Sequence, residues 1–159
     1  MPARDVQIRD AMVSWLNDAA NQANFPQTFT ASGVWDTGYA LESLKDASYY
    51  CQVFLIPSLT AETAARRLTA TEFIVALQFY KKYQPETSLT RAAQGDAVAE
   101  LRDVVRTYLE PNETNDETPP SMSGAYWSGI DDLDLFDQVL SRELQVFSTV
   151  VRYIYTDAR

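Results

Sequence analysis

Histidine is absent from the 159 residues of this chain. Its absence removes Ser-His-Asp and Cys-His catalysis, histidine metal sites and the one side chain that ordinarily titrates near neutral pH. Glycine is scarce, at five, and neither a G-x-x-x-x-G-K-[ST] phosphate loop nor a G-x-G-x-x-G turn occurs, which disfavours nucleotide binding. Ser32-Gly33 and Ser128-Gly129 read as turn chemistry and not as nucleophile elbows. The lone cysteine, Cys51, has no partner for an intramolecular disulfide, so nothing implies an oxidising compartment. It falls within the apolar run Tyr49–Ile56, where a buried, inert thiol is favoured over a reactive one. No stretch approaches the roughly 18 continuous apolar residues of a membrane span. The start, Met1–Asp10, carries two Arg and two Asp and no apolar core, unlike a signal peptide. A soluble protein with no membrane partner, assembled in a reducing cytoplasm, is expected. Bases are also short, 13 against 22 acids, for a net charge of −9. Sequence-independent duplex binding needs clustered Lys and Arg to displace counterions, and this balance argues against it.

What is present is an ordinary globular composition, 46% hydrophobic and 22% charged, in a length that suits a single domain over residues 1–159. Ile8, Met12, Trp15, Leu16 and Ala19 repeat at helical spacing and predict a helix from Asp5 to Ala23, with Asp5 as N-cap. Thr28–Trp35 is rich in β-branched and aromatic residues and reads as a strand. Ser48–Ile56 reads as a strand covered on both faces and closed by Pro57. Ser58–Thr69 reads as an extended loop or arm.

Glu72–Tyr83 alternates as a further strand, with Phe73, Val75, Leu77, Phe79 and Lys81 on one face. At roughly 40 Å it exceeds the common strand length, so part of its hairpin is expected to project. A second helix spans Thr90–Leu109, with Gly95 weakening its first turn. Glu110–Gly124 is polar and proline-broken, hence loop. Ala125–Ile130 is a short strand, Asp131 opens a short helix, and Gln145–Tyr155 alternates as the closing strand. Strands in consecutive runs predict an α+β single domain, with a mainly antiparallel sheet, a long projecting hairpin and helices packed on one face.

Chemistry has few places to sit. Asp131, Asp132, Asp134 and Asp137 form the best candidate for a hard cation, but the spacing is not that of an EF-hand. Carboxylates at a helix N-terminus also serve simply as caps. A carboxylate-dependent metal-binding or hydrolytic domain built on that cluster is therefore the alternative, and no metal or cofactor is expected. No catalytic pair stands out among the acids. Arg66-Arg67 and Lys81-Lys82 are the basic pairs, and two readings stay open. They meet an acidic partner or a neighbouring subunit, or they are a solvated loop and a strand-end gatekeeper.

The order of these elements, and the ending Gln145–Tyr155 with its Phe147-Ser148 start and terminal tyrosine, resembles the tail terminator proteins of tailed bacteriophages, also called tail completion or neck proteins. The resemblance implies a structural virion protein without catalytic residues. Such proteins form a homo-oligomeric ring, usually a hexamer, that caps the head-proximal end of the tail tube, stops tube growth and joins the tail to head connector proteins. The genome passes through such a ring without specific binding, and an acidic lumen lowers affinity for phosphate. Residues 110–137 hold eight acids and no base. The loop carrying Glu110, Glu113, Asp116 and Glu117 is expected to face a channel or a basic partner.

Overall fold

The computed structural model describes residues 3–35, 48–56, 60–63, 68–109, 125–131, 142 and 145–158, and of residues 60–63, 68–72, 125–131 and 153–158 the backbone alone. The described elements are α1 (Arg4–Asn17), α2 (Ala19–Gln22), β1 (Phe29–Gly33), β2 (Tyr49–Ile56), β3 (Thr60–Thr63), β4 (Leu68–Lys82), α3 (Arg91–Leu109), β5 (Ala125–Asp131) and β6 (Val146–Ala158). They form one mixed sheet in the order β1-β2-β4-β6-β5, with β3 also on β4. Only the β1–β2 pair is parallel among these ladders.

The single N-terminal helix expected from the sequence is two. Asp18 breaks it: its backbone is extended, and its side chain accepts from the Ala20 N–H at 2.8 Å to start α2. Asp5 lies inside the first turn of α1, where a carboxylate suits the helix dipole, and Ala3 is the N-cap. The segment expected to be an arm contains β3, whose Thr60–Thr63 pair with Leu68–Thr71. β2 covers Ile74–Tyr80 of β4 from the same side, so β3 prolongs the track of β2 along one edge of β4. β6 runs along the other edge, from Val146 opposite Lys82 to Ala158 opposite Ala70. β4 and β6 are thus longer at the hairpin end than the sequence pattern indicates. Asp131 ends β5, paired with Arg152, where a helix start was expected; Asp132, Asp134 and Asp137 lie outside the described residues.

Strand alternation sorts the core. Phe29 and Ala31, Cys51 and Val53, Val75, Leu77 and Phe79, and Phe147 and Val151 share one face with Ile8, Met12 and Leu16 of α1 and with Val98, Leu101, Val105 and Leu109 of α3. Full burial of each such side chain contributes roughly 1.5–3 kcal/mol, so the two helices are held by their apolar stripes more than by local propensity. Thr149 is the fully buried polar member of this face, and the Arg102 guanidinium of α3 donates to its hydroxyl at 2.7 Å. Gly95 does not delay α3. A Cβ there would stand 3.2 Å from Cε1 of Phe147, so glycine is the residue that lets helix and sheet approach.

The outer edge of β1 is not open. Phe29 and Ala31 point their backbone groups away from β2, and two amide side chains meet them. Gln22 accepts from the Phe29 N–H at 3.2 Å and donates to its carbonyl at 3.0 Å. Asn17 repeats the arrangement on Ala31. The two amides stand where a neighbouring strand would, which blunts this edge against strand addition.

Candidate functional site

Cations and tyrosines gather at the end of the sheet formed by the start of β2, the end of β4 and the start of β6. Lys81 falls on the core face, as the alternation requires, and is 7% exposed. Its ammonium lies 4.6 Å from the centroid of Tyr49 on the adjacent strand, an attraction that offsets part of the loss of water. Tyr50 and Tyr80 stack on the opposite face, with ring centroids 5.4 Å apart and planes 18° from parallel. Beside them Gln78 donates to the Ser148 hydroxyl at 2.9 Å. Lys82 is half-buried on this same face.

Past β4 the chain turns into α3 through residues 83–90, and one buried side chain fixes that turn. Gln94 is 1% exposed. Its carbonyl accepts from the Gln84 N–H at 3.0 Å. Its amino group is shared among the Gln84 carbonyl at 2.8 Å, the Thr87 hydroxyl at 3.1 Å and the Leu89 carbonyl at 3.2 Å. A turn held by an internal amide keeps its shape without a partner.

Arg91 stands on the other side of that turn. Its guanidinium lies 4.8 Å from the centroid of Tyr83 and 5.5 Å from that of Phe147, and it donates to Oε1 of Gln145. Tyr83 and Phe147 meet edge to face at 6.2 Å. Gln145 is, among the described residues, the non-glycine one with a left-handed backbone, φ 56°, and its carbonyl accepts from the Tyr83 N–H at 2.6 Å. A cleft of about 520 Å³ opens between Lys82–Thr87 and Gln145. It is lined by one ammonium, one phenol, amide groups and the carboxylate of Glu86. That lining is polar, carries one charge of each sign and contains no nucleophile–base pair.

Of the residues singled out in the sequence, Lys81 and Lys82 come to this end of the sheet, on opposite faces of β4. Lys81 is engaged with Tyr49, and Lys82 lines the cleft. Arg66, Arg67, Glu110, Glu113, Asp116 and Glu117 lie outside the described residues. Among the described residues no group of three or more Asp, Glu or Cys side chains gathers as a cation site, and no helix is long and apolar enough to cross a membrane. Cys51 is fully buried, and burial pushes its thiol well above the ordinary range, so it stays protonated and inert. Sequence reasoning missed Gln94, Arg91 and Gln145. Gln94 had a signal: it is the polar member of the apolar stripe it shares with Val98, Leu101 and Val105. Arg91 had a fainter one, a cation in the first turn of a helix, where the dipole disfavours it.

No protein-family model matches this chain, and a search of curated proteins finds no relative.

Proposed function

We propose that this chain is a structural protein of a tailed-phage virion. It forms a ring, of six subunits, on the head-proximal end of the tail tube, stops tube growth and joins the tail to the head connector. The observation that carries the reading is the long central hairpin and its closing strand. β4 has 15 residues and β6 has 13, paired along nearly their whole length, and among the described side chains on the helix-covered face of β4 the fully buried ones are Val75, Leu77 and Phe79. Phe73 and Ile74 are already half-buried. In this reading the end of the ladder where β3 pairs with β4 projects from the helix-covered body toward a neighbour. The closed outer edge of β1 supports it from the other side. A sheet able to add strands at both edges grows without limit, whereas a ring needs one interface between unlike surfaces whose rotation closes. The acidity of the chain keeps the passing genome unbound.

Deleting the gene from the phage that encodes it tests the reading. Tails of uncontrolled length, or tails of normal length that fail to join heads, are expected. Normal tails joined to heads would contradict it.

A further inference from the structure

Among the described residues two large apolar side chains are exposed, Trp35 at 71% and Leu89 at 56%. They stand at opposite ends of the sheet. Gly33 pairs with Val53, which pairs with Leu77, and Lys82 lies five residues farther along β4. The Val34 N–H still bonds the Val53 carbonyl, so the chain reaches Trp35 moving away from Lys82. At about 3.3 Å per residue and 4.8 Å per strand, Trp35 is at least roughly 17 Å along the sheet and 10 Å across it from the cleft at Lys82–Thr87 and Gln145. It cannot fill the cleft of its own chain.

The chain builds a support for this exposed indole. The Arg9 guanidinium lies 5.1 Å from the centroid of the Trp35 ring, and the Arg9 side chain is only 13% exposed. Its Nε and Nη2 both reach Oδ1 of Asp10, at 2.9 and 2.8 Å. A Cβ at Gly33 would stand 2.7 Å from that Nε, so the guanidinium lies across a strand position that has no side chain. An aromatic ring held out in water on a fixed cation loses little freedom when a partner covers it. Trp and Arg are also the residues that dominate the centres of interfaces. Among the described residues the indole N–H meets no acceptor.

We propose that the cleft receives Trp35 of a second copy of this chain, with the indole N–H donating to the Glu86 carboxylate. The proposal rests on the ring reading and names its contact. The cleft, about 520 Å³, supplies what the exposed indole lacks. Tyr83 and Pro85 offer it apolar walls, and Leu89 stands exposed on the same turn. Glu86 is exposed and, among the described residues, its carboxylate has neither a cation nor a donor. With one charge of each sign in its lining, the cleft suits an uncharged occupant that carries a single donor. Gln94 fixes the turn from within, so the hole is formed before the knob arrives. Knob and hole are unlike surfaces at opposite ends of one chain, as a head-to-tail interface requires.

Two variant chains test this. Trp35→Ala removes the knob; Glu86→Ala with Leu89→Ala strips the cleft of its acceptor and its apolar rim. All three side chains are exposed, so circular dichroism of both variants should match the natural chain. Sedimentation should show each variant alone assembling at least tenfold more weakly than the natural chain. An equal mixture should form dimers and stop there. One competent contact remains in it, between Trp35 of the cleft variant and the intact cleft of the Trp35→Ala chain. The mixed dimer also shows that both chains are folded. A Trp35→Ala chain that assembles like the natural one, or a mixture without dimers, overturns the proposal and leaves the ring standing. A natural chain that is monomeric at every concentration contradicts the ring reading, and this contact falls with it.

Discussion

The side-chain amide of Asn17 satisfies both backbone groups of Ala31: Nδ2 donates to the carbonyl at 2.9 Å and Oδ1 accepts from the N–H at 2.9 Å. With Gln22 on Phe29, two outward rungs of β1 are occupied by side chains from the chain's own α1–α2 corner. Replacing Asn17 and Gln22 together by Ala should cost roughly 1–3 kcal/mol in urea unfolding, the net value of the lost bonds. The larger effect should be on association. With the edge open, light scattering should show aggregates without a size limit, rich in strand by circular dichroism. A doubly substituted chain as monodisperse as the natural one would show that this edge is protected by something else.

Gln94 holds the β4–α3 turn from within. Gln94→Leu keeps the size and removes every bond, leaving the backbone groups of Gln84 and Leu89 to find water or remain unpaired. A loss of about 2–3 kcal/mol is expected, which for a chain of this length lowers Tm by roughly 5–10 °C. Calorimetry reads it directly. A Tm within a degree of the natural one would mean that the turn is held elsewhere.

Gln145 starts β6 with a backbone that favours glycine. Gln145→Ala and Gln145→Gly both lose the bond from Arg91, so the difference between them isolates the backbone. The glycine variant should be more stable by about 1 kcal/mol in paired urea titrations. Equal stabilities would contradict a left-handed conformation there.

Cys51 links folding to alkaline pH. Burial raises its thiol above the ordinary value of 9.0, so the folded chain keeps a proton that the unfolded chain loses. Its contribution is whole below pH 9, and stability falls as pH rises beyond that, by up to about 1.4 kcal/mol per pH unit. Cys51→Ala should remove that slope while lowering stability slightly at pH 7. A natural chain and a variant with parallel slopes between pH 9 and 10.5 would contradict the assignment. A disulfide reagent should likewise react with the thiol only as fast as the protein opens.

Much of this was written in the sequence where one element decides its own pattern. Ile8, Met12 and Leu16 mark the buried face of α1, and Val98, Leu101 and Val105 that of α3. The alternation from Phe73 to Lys81 sorts β4 correctly, because a strand between two neighbours must send every second side chain inward. What escaped depends on partners. β3 is Thr-Ala-Glu-Thr, with no pattern of its own, and exists because β4 offers an edge to pair with. Asp18 reads as a polar helix residue until its bond to Ala20 shows it starting a new turn. Lys81 reads as a strand-end gatekeeper or a partner contact, and it is buried beside Tyr49, 32 residues away, which strand pairing brings to it. The site at the end of the sheet is made of such long-range meetings: Arg91 with Gln145, Tyr83 with Phe147. No single stretch of sequence announces them.

The most direct measurement is the mass and shape of the purified full-length chain, by sedimentation and by electron imaging at physiological salt. Closed rings of uniform mass with a central channel are the expected result. A monodisperse 17.9 kDa monomer at all concentrations would contradict the proposed ring.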